Sequence, residues 1–236
     1  MLKRSLNLIT GSVLLASSGM ASATIINGGF EDGDFTGWST IGATSIETAA
    51  FGSGPTGGTY DALLTTGEGS VTDAALEGFL GLTGGSLDFV SPSGQDVTEG
   101  SAIFQTFGAS AGDVLTFDWN FLTDEIPAPL EVIDYAFFDL FYLDVLADAD
   151  INNTTLVSSA SIYADETGFS TESINLLGSG LYTIAFGVVD TQDYAYDSAL
   201  LVDNVALNAA SVPEPSTLAL IGLGLAGIGF RRRKVA

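Results

Sequence analysis

The chain has 236 residues, with 29 acidic side chains against six basic ones, a net charge of −23, and no histidine or cysteine. All six basic residues lie in positions 3–4 and 231–234, so the stretch from Thr24 to Val212 contains 28 acids and no base. This composition excludes nucleic acid as a direct partner, histidine- or cysteine-based catalysis, zinc and thiol sites, and disulfides. It leaves carboxylates, hydroxyls, amides and aromatic rings, which suit calcium, sugars and hydrolysis by a carboxylate pair.

The N-terminal residues 1–23 have the pattern of a secretory signal peptide. Lys3 and Arg4 precede a short apolar run from Leu6 to Ala16, and small residues around Ala23 follow it. A basic start, a short apolar centre and a small-x-small end are the features that signal peptidase recognises. The sequence therefore predicts export, with cleavage after Ala23.

Residues 24–211 are predicted to form one all-β domain with a β-sandwich fold. Leu115–Phe121 alternates apolar and polar residues strictly, which is typical of a half-buried strand. Further predicted strands are Ala102–Phe107, Tyr135–Leu146, Leu156–Tyr163, Leu181–Val189 and Leu200–Leu207. One short helix is predicted over Asp73–Leu82, because good helix formers precede a glycine pair there. Many strands and one helix favour a sandwich.

Two segments at the edges of this domain resemble jelly-roll carbohydrate-binding modules. Ile26–Glu31 (INGGFE) is similar to the first strand of such modules, and Leu200–Leu207 (LLVDNVAL) is similar to the last strand. In the family these two strands are neighbours and often hold a structural calcium ion. The resemblance implies that Glu31 and Asp203 are calcium ligands.

Two further candidate sites come from local patterns. Asp148, Asp150 and Asn152 match positions 1, 3 and 5 of a calcium-binding loop, although the glycine and glutamate expected at positions 6 and 12 are absent. A plain polar turn is the alternative reading. Tyr194 and Tyr196, flanked by carboxylates, are candidates for a carbohydrate-binding surface if the segment is a strand, and ordinary surface tyrosines are the alternative.

The C-terminal segment 212–236 has three parts in a fixed order. Pro213, Glu214 and Pro215 precede an apolar stretch from Leu218 to Phe230, and Arg231, Arg232 and Arg233 follow it. These 13 apolar residues would span about 20 Å as a helix, which is shorter than a hydrocarbon core of about 30 Å. The layout favours transient insertion in the inner membrane, with the basic cluster left on the cytoplasmic side.

This tail resembles the PEP-CTERM sorting signal of Gram-negative bacteria. The resemblance implies cleavage by an exosortase near the Pro-Glu-Pro triplet. It also implies delivery to the outer surface or the extracellular matrix, and it implies no activity for the exported domain. The leading hypothesis is a non-catalytic, calcium-stabilised module that binds carbohydrate or matrix. The alternatives are a glycoside hydrolase with a carboxylate pair and a purely structural biofilm or adhesion protein.

Overall fold

A computed structural model describes residues 24–125, 133–150, 155–192 and 194–210. Within these ranges, two antiparallel sheets pack face to face as a β-sandwich, which confirms the predicted fold class. The predicted signal peptide and the sorting segment 212–236 lie outside the described residues. No helix in the described part of the chain is long and apolar enough to cross a membrane.

The first sheet, sheet I, contains six of the described strands in the order β1-β5-β12-β7-β8, with β4 also paired to β5. Its strands are β1 (Ser39–Ile41), β4 (Val71–Thr72), β5 (Val97–Ala109), β7 (Tyr135–Asp139), β8 (Leu143–Asp148) and β12 (Gly180–Thr191). The pairing of β5 with β12 is the longest in this sheet, running from Ala109 opposite Gly180 to Val97 opposite Thr191. The strand β8 forms one edge of sheet I.

The second sheet, sheet II, contains seven of the described strands in the order β2-β3-β13-β6-β10-β9, with β11 also paired to β6. Its strands are β2 (Ala43–Thr48), β3 (Tyr60–Thr65), β6 (Val114–Thr123), β9 (Val157–Ser158), β10 (Asp165–Glu166), β11 (Ser170–Asn175) and β13 (Ser198–Asn208). The central pair is β6 and β13, which are in register from Thr123 opposite Ser198 to Asp118 opposite Asp203. A bulge follows between Asp203 and Ala206.

The main core lies between the two sheets and follows from the alternation in the sequence. Leu115, Phe117, Trp119 and Phe121 of β6 are all buried in it, as the strict alternation predicts. Trp38 is also buried, and its ring lies 5.5 Å from that of Phe30 and 6.0 Å from that of Phe186. Both tryptophans are therefore core residues.

Two smaller clusters cover the outer faces of the sheets. On sheet I, the helices α1 (Asp73–Leu80) and α2 (Ser86–Val90) pack Leu76 and Leu87 against Tyr135, Phe137 and Val189. On sheet II, a separate buried cluster contains Leu63, Leu122, Tyr163, Ala199 and Leu201. The outer faces of both sheets thus carry loops or helices over part of their area.

Several predicted boundaries differ from the structure. The predicted helix ends at Leu80 instead of Leu82, because Gly81 adopts a left-handed conformation at its C-terminus, and α2 was not predicted. Tyr135–Leu146 is two strands of a hairpin instead of one strand. In Leu156–Tyr163, only Val157–Ser158 is a strand.

The expectation of a first strand at Ile26–Glu31 is wrong. This segment consists of bends and turns, with Asn27 and Phe30 at positive φ. It still lies beside the last strand, as the resemblance implied, because the backbone N–H of Val205 donates to the carbonyl of Gly28 at 2.8 Å. Backbone turns replace the strand here because each positive φ interrupts an extended conformation.

Candidate functional site

Acidic residues lie side by side on the outer face of sheet II. Asp203 of β13 is the register partner of Asp118 on β6, and Glu47 of β2 is the partner of Asp61 on β3. The pairing of β13 with β3 ends at Val202 opposite Ala62, so its continuation brings Asp61 next to Asp203. Residues opposite each other in adjacent strands point to the same face, with Cβ atoms about 4.5–5.5 Å apart. Four carboxylates therefore follow one line across four strands.

The glycine-rich loop 56–60 lies against this line and is bound by Asp203. The Oδ2 atom of Asp203 accepts hydrogen bonds from the backbone N–H groups of Thr56 at 2.9 Å and Gly57 at 3.0 Å. The hydroxyl of Thr56 donates to Asp118 at 2.6 Å. The amide of Asn204 donates to the same Asp118 oxygen at 3.0 Å. Asp203 and Asp118 thus fix one side of the loop.

Glu31 binds the other side of the same loop. Its Oε1 atom accepts the backbone N–H groups of Thr59 at 2.8 Å and Tyr60 at 2.9 Å. A Cβ atom on Gly58 would lie 2.3 Å from the Glu31 carboxyl carbon, so a residue with a side chain does not fit there without displacing Glu31. The loop 56–60 is therefore held at both ends by acidic side chains.

The structure brings the two residues of the jelly-roll resemblance close together. A Cβ atom on Gly29 would lie 3.7 Å from Oδ1 of Asp203 and 3.8 Å from Cγ of Glu31. Asp203 is buried, whereas Glu31 is exposed. Burial raises the pKa of Asp203, and the N–H groups of Gly57 and Asn204 oppose this increase.

Asp61 is the residue in this line that sequence reasoning missed. Its side chain is fully buried, and neither carboxylate oxygen has a hydrogen-bond partner among the described residues. Burial raises the pKa of Asp61 to about 7, and the negative charges of Asp203 and Glu47 add to the effect. A buried carboxylate without a partner is costly when ionised, so a cation beside it would be strongly favoured.

These features fit a cation at Asp61 and Asp203 better than at Glu31. The oxygens of Glu31 and Asp203 named above already accept amide hydrogen bonds, whereas neither of the buried oxygens of Asp61 has a hydrogen-bond partner among the described residues. The described residues contain no group of three or more acidic side chains that could hold one metal ion. A calcium ion here would therefore need backbone carbonyl oxygens and water to complete its usual six to eight ligands.

The second predicted calcium loop lies at a cleft between the sheets. Asp148, at the end of β8, and Asp150 line a cleft of about 620 Å³ together with Trp119. Burial raises the pKa of Asp148, and the nearby charge of Asp150 also raises it. Asn152, the third predicted ligand, lies outside the described residues. Calcium binding by this loop stays a prediction.

The predicted carbohydrate-binding tyrosines lie in an irregular segment. Tyr194 and Tyr196 are both exposed, but residues 194–196 form bends instead of a strand, so the two rings do not share a strand face. Their contribution to sugar binding stays a prediction. The sorting-signal residues Pro213, Glu214, Pro215, Arg231, Arg232 and Arg233 lie outside the described residues.

Sequence reasoning also missed an aromatic groove on the outer face of sheet I. Phe89 of α2 and Phe141 and Tyr142 in the β7–β8 turn line a cleft of about 590 Å³, with 89%, 57% and 68% of their surface exposed. Asp139 lines this cleft and also the adjacent depression beside Phe79 and Phe104. Burial raises the pKa of Asp139. Exposed aromatic rings that are grouped in a groove often mark a binding surface, whereas single exposed apolar residues are common on any protein surface.

A signal for this groove was present in the sequence. The run from Asp139 to Leu143 has apolar and aromatic residues where a hairpin turn normally has glycine, asparagine or aspartate. The turn comprises residues 140–142, because Asp139 pairs with Leu143. Aromatic residues at a turn are exposed by the geometry of the hairpin, and this marks them as candidate binding residues.

Comparison with solved structures finds matches of low identity over most of the chain. They include the carbohydrate-binding module TmCBM61 in complex with β-1,4-galactotriose, with 13% identity, a TM-score of 0.42, and coverage of 78% of this chain and 95% of that one. They also include TmCBM27, a mannan-recognising module, with 15% identity, a TM-score of 0.37, and coverage of 75% and 90%. The K1 cleaved adhesin domain of Lys-gingipain from Porphyromonas gingivalis has 15% identity, a TM-score of 0.40, and coverage of 78% and 96%.

Comparison with curated protein sequences finds no match. Residues 211–234 match the family model of the PEP-CTERM protein-sorting motif, which covers the Pro-Glu-Pro triplet, the apolar stretch and the arginines. The motif indicates a secreted protein that is processed by an exosortase. The chain is therefore a β-sandwich protein that carries a PEP-CTERM sorting motif, as its sequence predicted.

Proposed function

We propose that this protein is a non-catalytic, exported module that binds polysaccharide through the aromatic groove on sheet I. The observation that carries the proposal is the grouping of Phe89, Phe141 and Tyr142 as exposed rings around one cleft. Flat aromatic rings pack against the apolar faces of sugar rings. Asp139 between the two depressions would accept hydrogen bonds from sugar hydroxyls.

The chemistry of the domain supports a neutral or cationic glycan and disfavours an anionic one. The stretch from Thr24 to Val212 has no base to pair with a uronate or a sulfate. Sugar hydroxyls need only acceptors and apolar contacts, and both are present in the groove. The sorting motif supports export, and a surface or matrix location would place the groove among extracellular polysaccharides.

Binding of soluble neutral polysaccharides by the purified protein, screened on a glycan array and measured by calorimetry, tests this proposal. Replacing Phe141 and Tyr142 with alanine is expected to weaken binding at least tenfold. Leu177→Ala is the matched control, because Leu177 is equally apolar and 89% exposed but does not line the groove. The double variant Tyr194→Ala, Tyr196→Ala tests the alternative carbohydrate site that the sequence predicted at these two tyrosines. Loss of binding in that variant alone would move the site to the 194–196 segment.

We also propose that calcium stabilises the fold at Asp61 and Asp203. The ion would neutralise the buried Asp61 carboxylate, which no described group pairs with. Millimolar calcium is expected to raise the melting temperature by roughly 3–6 °C, because extracellular sites bind calcium with Kd values of about 10⁻⁴–10⁻³ M. Sodium chloride at matched ionic strength is the control for screening. A full calcium response in Asp61→Asn would contradict this assignment.

Processing at both ends completes the proposal. The mature protein is expected to lack residues 1–23 and most of the segment after Pro215, through the action of signal peptidase and an exosortase. The intact mass of protein recovered from outside the cell measures both cuts. Recovery of chains that still end in Arg-Arg-Arg-Lys-Val-Ala would contradict exosortase processing.

A glycoside hydrolase is the second candidate function, and one observation favours it. Asp148 and Asp150 share a cleft with Trp119, and burial raises the pKa of Asp148, as a general acid requires. A hydrolase would release new reducing ends from a bound polysaccharide, and Asp148→Asn would abolish that release. A purely structural adhesion protein would bind none of the glycans and would still respond to calcium.

A further inference from the structure

The chain leaves the sandwich towards the sorting segment at one well-defined end. The strand β13 ends at Asn208, and the backbone N–H of Ala210 donates to Oδ1 of Asp113 at 3.0 Å, beside the β5–β6 turn. The β11–β12 turn lies against the same place, because the N–H of Gly112 donates to the carbonyl of Leu176 at 2.7 Å and the N–H of Leu176 donates to the carbonyl of Asp113 at 2.8 Å. We call this part of the molecule the exit end, and it comprises residues 108–113, 176–183 and 204–210.

Two leucine side chains are exposed at the exit end. Leu177 is 89% exposed and Leu181 is 82% exposed, one on each side of the turn 178–180. Neither leucine lines the aromatic groove or the cleft at Trp119. Single exposed apolar residues are common, but two leucines of this exposure beside the chain exit form a small apolar surface.

The exit end also lacks the exposed acids found at the other end of the sandwich. Its three segments contain no acidic residue other than Asp113, which is buried and accepts a backbone N–H group on each carboxylate oxygen. At the opposite end, Glu68, Asp96 and Asp197 are exposed in the turns between strands. Removing a carboxylate from water is costly when it has no partner, so the exit end meets an apolar environment at lower cost than the opposite end.

The length of the connection to the sorting segment limits how far the exit end can be from a membrane. Only residues 211–217 separate Ala210 from the apolar stretch that begins at Leu218. Fully extended, this connection reaches at most about 29 Å. The apolar stretch, at about 20 Å as a helix, is shorter than a hydrocarbon core of about 30 Å, so its insertion would draw part of the connection into the interface. The exit end therefore stays close to the bilayer for as long as the stretch is inserted.

We propose that Leu177 and Leu181 dock the exit end on the lipid bilayer while the sorting segment is inserted, with both side chains at the boundary between headgroups and acyl chains. Tethering keeps the two leucines at a high effective concentration near the surface, so a contact too weak to hold a free domain becomes populated. Docking keeps the Pro-Glu-Pro triplet, residues 213–215, at the membrane surface. The inference rests on the membrane insertion that precedes the proposed exosortase processing, and it is independent of glycan binding.

Fluorescence quenching by brominated lipids tests this contact, because the chain has no cysteine and one introduced cysteine carries the only label. Ser179→Cys places a dye between the two leucines, and Ser93→Cys places it in the α2–β5 connection at the opposite end. In phosphatidylcholine vesicles brominated in the upper acyl chain, the full chain is expected to show about threefold more quenching at position 179 than at position 93. Equal quenching at both positions would overturn the proposal.

Flotation of the same vesicles separates this inference from the proposed processing. A full chain that floats with the vesicles but shows no quenching at position 179 would overturn the docking alone. A full chain that does not float would contradict membrane insertion, and the proposed processing would fail together with the docking.

Leu177→Ala with Leu181→Ala, in the Ser179→Cys protein, separates docking from simple tethering. The double variant is expected to reduce quenching about threefold, with an unchanged melting temperature because both side chains are exposed. The matched control is Val157→Ala with Ile162→Ala, which removes two exposed aliphatic side chains from the β9–β10 hairpin and is expected to leave quenching unchanged. Unchanged quenching in the leucine variant would show that the tether alone places the exit end, and would overturn the proposal.

Two further outcomes would assign the leucines to a different occupant. Quenching that disappears when the protein is diluted in the same lipid would assign the surface to contacts between two copies of the chain. Quenching that is absent in pure lipid and develops only after an exosortase is added to the vesicles would assign it to that enzyme. Either result would overturn docking on lipid.

Discussion

The two outer faces of the sandwich differ in which side chains they bury and which they expose. On sheet II, the acids Asp61 and Asp203 are buried, and Asp203 holds the loop 56–60 in place through its hydrogen bonds. On sheet I, the aromatic rings of Phe89, Phe141 and Tyr142 are exposed around a groove. Each arrangement reverses the usual preference, in which acids are exposed and large apolar rings are buried.

The difference indicates that the two faces have separate roles. Buried acids contribute to stability when amide groups or cations pair with them, and they cost stability otherwise. Exposed aromatic rings contribute little to folding, and a group of them on one surface often marks a binding site. Sheet II therefore holds the loop and a candidate cation site, whereas sheet I carries the candidate glycan surface. Changes on the two faces should separate stability from binding.

The largest expected effect comes from removing Asp203. Asp203→Ala deletes the acceptor for the backbone N–H groups of Thr56 and Gly57 and leaves them without a partner. Charge-assisted hydrogen bonds contribute about 1.5–3 kcal/mol each, so the free energy of unfolding is expected to fall by about 3–4 kcal/mol. Denaturant unfolding measures the change. Asp144→Ala, an exposed acid on β8, is the control, and a similar small loss in both variants would contradict the role of Asp203.

The second effect is a dependence of stability on pH that belongs to Asp61. Its pKa in the folded protein is about 7, against an ordinary value of 3.8, so the folded state binds the proton more tightly than the unfolded state. Without calcium, stability is therefore full below about pH 4 and decreases as the pH rises through 7, by about 2–3 kcal/mol after allowance for relaxation and solvent. Calcium should restore the lost stability at pH 7.

Asp61→Asn is expected to remove most of this pH dependence, since the amide carries no charge at any pH. Other carboxylates also titrate in this range, so Asp144→Asn is compared under the same conditions. Thermal unfolding from pH 4 to pH 8 in the presence of a chelator is the measurement. An unchanged slope in Asp61→Asn would show that the buried carboxylate is hydrated or paired, and the cation assignment would lose its support.

The architecture of the domain was predictable because it follows from periodicity. The alternation at Leu115, Phe117, Trp119 and Phe121 identified the inner face of β6 without any tertiary information. The sorting motif was predictable because its three parts are contiguous in the sequence. Features that depend only on residues near each other in the sequence could therefore be predicted from it.

The buried acid and the complete groove were not predictable, because each depends on contacts between distant segments and the sequence signals only the aromatic turn 140–142. Asp61 lies in the short segment Tyr60–Thr65, and only its position between β2 and β13 buries it. Phe89 lies 50 residues from Asp139, and the two come together only when α2 packs beside the β7–β8 turn. The closeness of Glu31 and Asp203 was expected from the jelly-roll resemblance, although the strand assigned to Ile26–Glu31 was wrong.

A third, smaller effect isolates the contact between Glu31 and the loop. Gly58 and Gly94 have the same φ of +67°, but a Cβ atom meets the Glu31 carboxylate at Gly58 and nothing within 4 Å at Gly94. Gly58→Ala is therefore expected to cost about 1–2 kcal/mol more than Gly94→Ala, because it displaces Glu31 from the N–H groups of Thr59 and Tyr60. In a Glu31→Ala background the two costs should become equal. A persistent difference there would place the strain elsewhere in the loop.

The smallest expected effect is on the aromatic face, where Phe89→Ala should leave stability almost unchanged. Phe89 is 89% exposed, so its ring loses little buried area, and the free energy of unfolding should change by no more than about 0.5 kcal/mol. Phe137→Ala, on the same side of sheet I but fully buried, should cost about 3–5 kcal/mol and is the internal standard. Denaturant unfolding of both variants measures the contrast. A loss above 1.5 kcal/mol in Phe89→Ala would mean that the ring supports the fold, and its exposure would then no longer indicate a binding surface.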